Sequence, residues 1–324
     1  MKQIEIARAL GVSKTTVSRA ISGKGRIGEE TREQILRYIK KMEAEKDTNI
    51  VPTHNLGVAL PADDYINANT YFSECLYGIC EAAAYFNYNV LIVKAKENDI
   101  SEIVNVVEKR KVDAMILPRC MEDDKAIRYL VDSNFPVGLT GQCEEEQVIQ
   151  VDIDNEGATE DITTMMINRG FKRFSLILED ITILVNRKRQ AGFQKALFKC
   201  GIKENKQYIY KAKIPEEALE MIMHDILSNK TDCIVCGDDE LCTKVLSWLQ
   251  GEGYRIPADV AIFALYNSPI LNLMRPSVTA VDVSARIVGL ELGKQMCNYL
   301  QGKDYKTKTI MEYRILIKKS TGKK

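Results

Sequence analysis

The chain has 324 residues, of which 45% are hydrophobic, and its 45 Lys and Arg balance its 45 Asp and Glu. This length is too great for one compact core and favours two or three lobes. No apolar run approaches the roughly 20 residues of a membrane span, and the first residues lack the apolar stretch of a signal peptide. We therefore expect a cytoplasmic protein that does not interact with membranes.

The charge is unevenly distributed, because residues 1–46 carry eleven basic and six acidic residues, which gives +5 on this segment and −5 on the rest. A basic segment on an acidic body favours a polyanionic partner at that end of the molecule, although a merely solvated basic surface has the same composition. The nine cysteines are odd in number and scattered through apolar segments, so we expect buried free thiols in a reducing compartment.

Residues 1–46 predict a helix-turn-helix head. The apolar spacing predicts three helices, over 4–10, about 14–21 and about 29–44. Gly11 ends the first helix, and Ser13 is a good N-cap for the second, because its hydroxyl can accept from a free backbone N–H. Val17 and Ile21 should face the core. Two short helices joined by a glycine-containing turn, with a third beside them, have the geometry of this DNA-binding motif.

The second helix of such a head lies in the major groove, where its N-terminal residues reach base edges. Arg19 is placed to form a bidentate pair with guanine, whereas Ser13, Thr16 and Ser18 suit phosphates or caps. The predicted DNA contacts are Ser13, Lys14, Thr15, Thr16, Ser18, Arg19, Lys24 and Arg26.

The run GVSKTTVSRAISGKGRIGEETREQIL (11–36) closely resembles the head of LacI/GalR-type transcription regulators. The shared pattern, from Ala7 to Arg32, is A-x-x-x-GVSxxTVSRxxxGxGRxxxxTR. The resemblance implies that Lys14, Thr15 and Arg19 read bases. One departure is Gly28, where the family usually has a capping serine, and glycine is a weaker N-cap.

From residue 56 onward the chain alternates between strands and amphipathic helices. The strands are predicted over 56–61, 89–95, 114–118, 136–141, 148–153, 173–178, 207–212, 233–238 and 260–265. The helices are predicted over about 71–86, 100–110, 123–133, 156–169, 188–200, 215–229 and 239–251. This is the βαβ rhythm of parallel sheets covered by helices on both faces. Nine strands are too many for one small sheet, so the fold class is an all-α head plus an α/β core of two Rossmann-like lobes.

The body also resembles the sugar-sensing core of the same family, which has the fold of type I periplasmic binding proteins. Matching segments include VDIDNEGA (151–158), RKRQAGFQKAL (187–197) and GYRIPADVAIFAL (253–265). The resemblance implies three crossings between the lobes, near 153–155, 282–284 and 305. The expected domains are a head (1–46), a linker (47–55), an N-terminal lobe (56–153 plus 284–305) and a C-terminal lobe (154–283 plus 306–324).

Ligands of such sheets bind at the carboxyl ends of the strands, so the cleft between the lobes is the expected site. Arg189 stands where the family has an effector-binding arginine; the alternative is an arginine on an exposed helix face. Asp238 follows a strand where the family has a pocket Asn or Asp, and Asp239 is expected to be a helix cap or first-turn residue. The predicted effector contacts are Asn69, Tyr71, Phe72, Arg189, Asp238 and Tyr266. Ordinary core packing is the equal alternative for the segment 69–72.

Two departures from the family change the expected ligand. Tyr266 and Asn267 stand where the family often has an acidic pair, and Gly141 stands where it often has Asp. Both changes remove acceptors that grip sugar hydroxyls. A free hexose is therefore a weaker candidate for the effector than a glycoside, a larger saccharide or an aromatic ligand stacked on Tyr266.

The linker departs from the family as well. The resemblance implies a Y-x-P-N segment and a hinge helix whose leucine wedges into the minor groove, but 47–55 has no leucine, and only Val51-Pro52 matches. Pro52 disfavours helix at Val51, which counts against kinking of the operator by such a wedge and leaves a straighter site as the alternative.

We expect a homodimeric repressor that binds a pseudo-palindromic operator and is controlled by a small molecule, with no cofactor or metal. The alternative is a small-molecule sensor with weak or partner-dependent DNA binding. An enzyme is disfavoured, since His54 and His224 are the only histidines, and Cys233 and Cys236 lie along a strand. The motif GKGRIG (23–28) follows a helix, which disfavours a dinucleotide site. A transport-type sugar-binding protein would share the body but not the head.

Overall fold

The computed structural model describes residues 3–22, 25, 27–28, 31–36, 38, 51–61, 70–96, 99–178, 182–202, 207–211 and 216–322. The chain divides into two compact units, Met1–Pro52 and Thr53–Lys324, here called the head and the body. Each is described by itself.

The head contains α1 (Gln3–Leu10), α2 (Lys14–Ser22) and helical residues 31–36, called α3. Gly11 ends α1 with a φ of 66°, and the amide of Val12 donates to the carbonyl of Ala7 over 3.0 Å. The core of the head consists of Ile6, Ala7, Val17, Ala20 and Ile35.

The expectation that Ile21 faces this core is wrong, because its side chain is 50% exposed. Ala20, one turn after Val17, takes the inward position. The remaining parts of the predicted third helix, 29–30, 37 and 39–44, lie outside the described residues, as does the linker up to residue 50.

The body contains two sheets and the helices that cover them. The strands are β1 (Asn55–Pro61), β2 (Asn89–Ala95), β3 (Ala114–Leu117), β4 (Val137–Thr140), β5 (Ile149–Ile153), β6 (Phe174–Leu178), β7 (Gln207–Lys211), β8 (Cys233–Cys236), β9 (Ala261–Ala264), β10 (Thr279–Asp282), β11 (Lys308–Met311) and β12 (Arg314–Leu316). The helices are α4 (Thr70–Tyr85), α5 (Ser101–Glu108), α6 (Lys125–Asp132), α7 (Asn155–Asn168), α8 (Leu184–Lys199), α9 (Glu216–Ser228), α10 (Asp239–Gly251), α11 (Pro269–Leu273) and α12 (Ala285–Leu300). A 3-10 turn follows at Lys319–Thr321.

The two sheets have the same strand order. The N-terminal lobe has β2-β1-β3-β4-β5-β11, and the C-terminal lobe has β7-β6-β8-β9-β10-β12. The pairs are parallel except β10 with β12. Strands β3, β4, β6, β8 and β9 are buried at every position, as expected for parallel strands covered on both faces.

In each sheet an aspartate precedes a central strand, β3 or β8, and accepts hydrogen bonds from backbone amides just before the neighbouring strand, β1 or β6. Asp113 accepts from the amide and hydroxyl of Thr53 and from the amide of His54, over 2.8–2.9 Å. Asp232 accepts from the amides of Lys172 and Arg173 over 2.9–3.1 Å. Each carboxylate thereby satisfies strand-end amides that have no ladder partner.

The chain passes from one lobe to the other between β5 and α7, between β10 and α12, and between β11 and β12. The third crossing was expected near 305, which is wrong. Strand β11 still pairs with β5 of the N-terminal lobe, so this crossing lies at 312–313. The strands β10 to β12 and the helices α11 and α12 were not predicted.

Glycines allow one pair of helices in each lobe to approach closely. A Cβ on Gly78 of α4 would lie 1.9 Å from the carbonyl oxygen of Arg286, and one on Gly289 of α12 would lie 2.0 Å from that of Cys75. In the C-terminal lobe, a Cβ on Gly192 of α8 would lie 2.1 Å from the carbonyl oxygen of Glu156 in α7. These crossings require residues without side chains. Among the described residues, no helix is long and apolar enough to cross a membrane.

Candidate functional site

Helix α2 presents its predicted DNA-reading residues on the face opposite the core. Ser13 caps the helix as expected, since its hydroxyl accepts from the amide of Thr16 over 3.0 Å. The hydroxyls of Ser13 and Thr16 are also 2.8 Å apart. Lys14, Thr15 and Arg19 are exposed, whereas Thr16 and Ser18 are half-buried.

Arg19 has a defined neighbour in the head. A Cβ on Gly25 would lie 3.1 Å from Cδ of Arg19, so the absence of a side chain at Gly25 leaves room for the arginine stem. Gly25 has a φ of 99°, which favours glycine for a second reason. Lys24 and Arg26, the other two predicted contacts, lie outside the described residues.

A cleft of about 910 Å³, including space open to solvent, lies within the body between its two lobes. Segments at the carboxyl ends of β3, β4 and β5 form one wall, and segments after β6, β8 and β9 form the other. This is where ligands of parallel sheets bind.

Five of the six predicted effector residues line this cleft: Tyr71, Phe72, Arg189, Asp238 and Tyr266. The sixth, Asn69, lies outside the described residues. The structure therefore brings together side chains from α4, α8 and the ends of β8 and β9, although they are far apart in the sequence. Their contacts with an effector stay a prediction.

Three aromatic rings stand together at one side of the cleft. The ring centroids of Tyr71 and Phe72 are 5.9 Å apart, and those of Tyr71 and Tyr266 are 5.6 Å apart, both in edge-to-face contact. Burial raises the pKa of both tyrosines, so both hydroxyls remain protonated. The cleft thus offers apolar ring surface together with phenol O–H groups.

Arg189 lies in the cleft with part of its hydrogen-bonding capacity unused. Its Nη1 donates to Oδ1 of Asn186 over a long 3.4 Å, and its Nε is buried without an acceptor. A buried donor without a partner costs about 1–3 kcal/mol. A ligand oxygen at this position would recover that free energy.

Asp152, at the end of β5, is a cleft residue that the sequence did not single out. Burial raises the pKa of its carboxyl to about 6, against the opposing effects of the Ile153 amide and of the charges of Lys188 and Arg189. The amide of Asn155 donates to its Oδ1 over 3.0 Å. Its strand, IQVDI, also contains the polar Gln150, so no local pattern in the sequence distinguished Asp152.

Asp238 and Asp239 differ in role. The Oδ1 of Asp238 accepts from the amide of Leu241 over 2.9 Å and caps α10, while the residue also lines the cleft. Asp239, in the first turn, is buried and accepts a 3.0 Å hydrogen bond from the hydroxyl of Thr70 in α4. This bond joins the two lobes, and burial raises the pKa of Asp239.

A second set of contacts joins the lobes at another edge of the cleft. Met121 and Ile183 form an antiparallel bridge, and the amide of Glu122 donates to the carbonyl of Thr182 over 2.8 Å. The guanidinium of Arg187 forms an ion pair with Glu122, and the amine of Lys188 donates to the side-chain oxygen of Gln142.

The described residues do not bring together a redox pair of cysteines or a histidine site. Cys233 and Cys236 are both buried in β8, where burial raises the pKa of Cys236. His54 and His224 are exposed, and no cluster within the described ranges could hold a metal ion. Asn267 donates to Asp282 over 2.8 Å and accepts from Lys318 over 3.0 Å, so its amide serves the fold.

Two family models match the chain: bacterial regulatory proteins of the lacI family at residues 4–43, and a periplasmic binding protein-like domain at 163–321. Among curated relatives, catabolite control protein A of Priestia megaterium is 24% identical over 331 residues, covering 98% of each chain. The HTH-type transcriptional regulator MalR of Streptococcus pneumoniae is 27% identical over 304 residues, covering 90% of this chain and 88% of the relative.

Solved structures share the fold. A probable maltose operon transcriptional repressor from Staphylococcus aureus superposes with a TM-score of 0.79 at 24% identity, covering 85% of this chain and all of the other. The transcriptional regulator CelR in complex with cellobiose gives 0.74 at 22% identity, covering 97% and 98%. These relatives are named as regulators, not as enzymes.

Proposed function

This chain belongs to the LacI family of bacterial transcription regulators, and on that premise we propose that it is a sequence-specific repressor controlled by a small molecule bound between the lobes of its body. The observation that carries the proposal is the combination of an exposed reading face on α2 with a cleft lined by five predicted ligand residues.

The head would read DNA through the exposed face of α2. Arg19 would form a bidentate pair with a guanine, Lys14 and Thr15 would reach neighbouring base edges, and Ser13, Thr16 and Ser18 would serve phosphates or the cap. Lys24 and Arg26 would add phosphate contacts. Two heads of a homodimer would occupy the half-sites of a pseudo-palindromic operator.

The body would bind a saccharide or glycoside. The edges and faces of Tyr71, Phe72 and Tyr266 suit the apolar side of a sugar ring, while Arg189 and Asp238 offer a donor and an acceptor to its hydroxyls. Relatives named for maltose and cellobiose support this class of ligand.

Control would operate through the contacts that join the lobes. A ligand that binds more tightly to one arrangement of the lobes shifts the population towards it, and DNA and ligand then change each other's affinity by the same factor. The bond between Thr70 and Asp239 and the ion pair between Glu122 and Arg187 are the contacts that such a shift would remake.

The second candidate function is a sensor with weak or partner-dependent DNA binding. The observation that favours it is the linker, where Val51 is 83% exposed and residues 51–54 have no regular secondary structure. If the effector cannot act on DNA through helix at residues 51–54, communication between effector and DNA requires another route.

Selection of random DNA fragments by the purified full-length chain tests the proposal, beside Arg19→Ala and Arg19→Lys. We expect the wild type to select one two-fold-symmetric motif and Arg19→Ala to select none. Lysine keeps the charge but not the bidentate geometry, so it should relax one base position and keep most of the salt-dependent affinity. Equal motifs from all three proteins would contradict the role of Arg19, and no motif with or without saccharides would favour the second candidate.

A further inference from the structure

We infer that the effector of this chain carries an anionic group, a carboxylate or a phosphate, bound by Arg119, Lys188 and Arg189 in the cleft. The inference rests on the proposed function only in taking the cleft as the effector site. It narrows the ligand from a neutral saccharide to an acidic one.

The first argument is the balance of charge. Among the described residues that line the cleft, the cations are Arg119, Lys188 and Arg189, and the anions are Asp152 and Asp238. The Oδ1 of Asp238 caps α10, and the Oδ1 of Asp152 accepts a hydrogen bond from the side-chain amide of Asn155. One oxygen of each carboxylate is therefore already used within the protein. Lys188 and Arg189, adjacent on α8, concentrate positive charge on one wall of the cleft, which attracts an anion.

The second argument is the balance of hydrogen-bonding groups. Neutral oxygens of the cleft already accept from its cations: Gln142 from Lys188, and Asn186 from Arg189. The hydroxyl of Thr140 donates to the carbonyl of Pro118 over 2.7 Å, and Gly141 brings no side-chain acceptor. A carboxylate or phosphate, which only accepts hydrogen bonds, would suit the N–H groups that remain on Lys188 and Arg189.

The third argument is an unsatisfied donor beside a helix terminus. The Nε of Arg189 is buried without an acceptor, in a side chain that lines the cleft. Residues 183–186, where α8 begins, also line the cleft, and this helix has neither a side-chain cap nor an acidic residue in its first turn. The dipole of α8 and the guanidinium of Arg189 thus favour negative charge in the same cavity.

Arg119 stands on the opposite wall, after β3, whereas Lys188 and Arg189 stand on α8. An anion between them would contact both lobes at once. Charge-assisted hydrogen bonds are the strongest available to such a ligand, and an arginine can bind a carboxylate or phosphate with two N–H groups. The anion would therefore stabilise the arrangement in which the two walls face each other.

The test is calorimetric titration of the full-length chain with matched sugars: glucuronate against glucose, galacturonate against galactose, and glucose 6-phosphate against glucose. The two uronates separate a carboxylate from a phosphate. Variants Lys188→Gln and Arg119→Gln remove one cation each. Lys195→Gln is the matched control, because Lys195 lies on the same helix but is exposed and pairs with Glu156 and Glu160.

We expect at least one acidic sugar to bind about tenfold or more tightly than its neutral parent, a preference reduced in Lys188→Gln and Arg119→Gln but kept in Lys195→Gln. The inference is overturned if no acidic member binds more tightly than its parent, or if Lys195→Gln lowers the preference as much. DNA selection separates the two proposals. If a neutral sugar changes operator affinity and no acidic sugar binds more tightly, the inference fails and the proposed function stands. If an acidic sugar binds more tightly but does not change operator affinity, the inference stands and the regulatory role of the cleft fails.

Discussion

Replacing Gly78 with alanine should destabilise the body, because the added methyl group would lie 1.9 Å from the carbonyl oxygen of Arg286 and 2.6 Å from the amide of Leu290. Both atoms belong to the backbone of α12, so no side-chain rotation relieves the contact. An ordinary contact needs about 3.4 Å, and the helices must therefore separate by about 1.5 Å at this crossing.

That separation loosens the packing of Ile79, Val288 and Leu292, which are all buried between α4, α12 and the sheet. Overpacking of this kind costs about 1–3 kcal/mol, and here the backbone itself must move, which places the cost at the upper end. Alanine returns up to about 1 kcal/mol through its higher helix propensity. The net loss in the free energy of unfolding should be about 2 kcal/mol.

Urea unfolding of the full-length chain, followed by circular dichroism in the transition of the body, measures this loss. The matched control is Gly251→Ala at the end of α10, where a Cβ would meet nothing within 4 Å. It should be neutral or slightly stabilising. A Gly78→Ala variant within about 0.5 kcal/mol of the wild type would refute the argument that the backbones are in contact at this crossing.

Two further predictions concern groups at the cleft. Burial raises the pKa of Asp152 from 3.8 to about 6 in the folded chain, so its protonated form adds stability that is complete below pH 3.8 and is lost as the pH rises through about 6. The free energy of unfolding of Asp152→Asn, measured in urea at each pH, should therefore rise by about 1–3 kcal/mol relative to that of the wild type between pH 4 and pH 7. A difference between the two proteins that does not change with pH would exclude this effect. Thr70→Val removes the donor to Asp239 and leaves a buried carboxylate without that partner, which should cost about 1–3 kcal/mol in thermal or urea unfolding. Thr70→Ser keeps the hydroxyl and should cost much less, and equal losses would assign the effect to the methyl group.

Much of the architecture could be predicted because each signal was local. Ser13 caps α2 through its own hydroxyl, and the buried strands of parallel sheets are continuous apolar runs. Strands β11 and β12 have no such run, since they are short edge strands with several exposed positions. Helix α12 contains Gly289 and Gly293, which weaken a helical pattern in sequence and are explained only by the approach of α4.

The cleft was predicted less completely than the fold. Arg189 and Asp238 were identified through the resemblance, and both line the cleft. Asp152, Lys188 and Arg119 were not singled out, because a charged residue at the end of a strand or on a helix has no distinguishing local pattern. Their importance follows from meeting one another across two lobes, which depends on tertiary packing.

The three crossings also determine when each lobe can fold during synthesis. The N-terminal lobe begins at β1, but α12 and its last strand β11 lie after the whole sheet from β6 to β10. Until α12 leaves the ribosome, the face of α4 that carries Cys75, Ile79 and Ala82 has no partner. The nascent chain must therefore keep an apolar surface exposed while the second lobe is made, which is the period in which a chaperone would bind it.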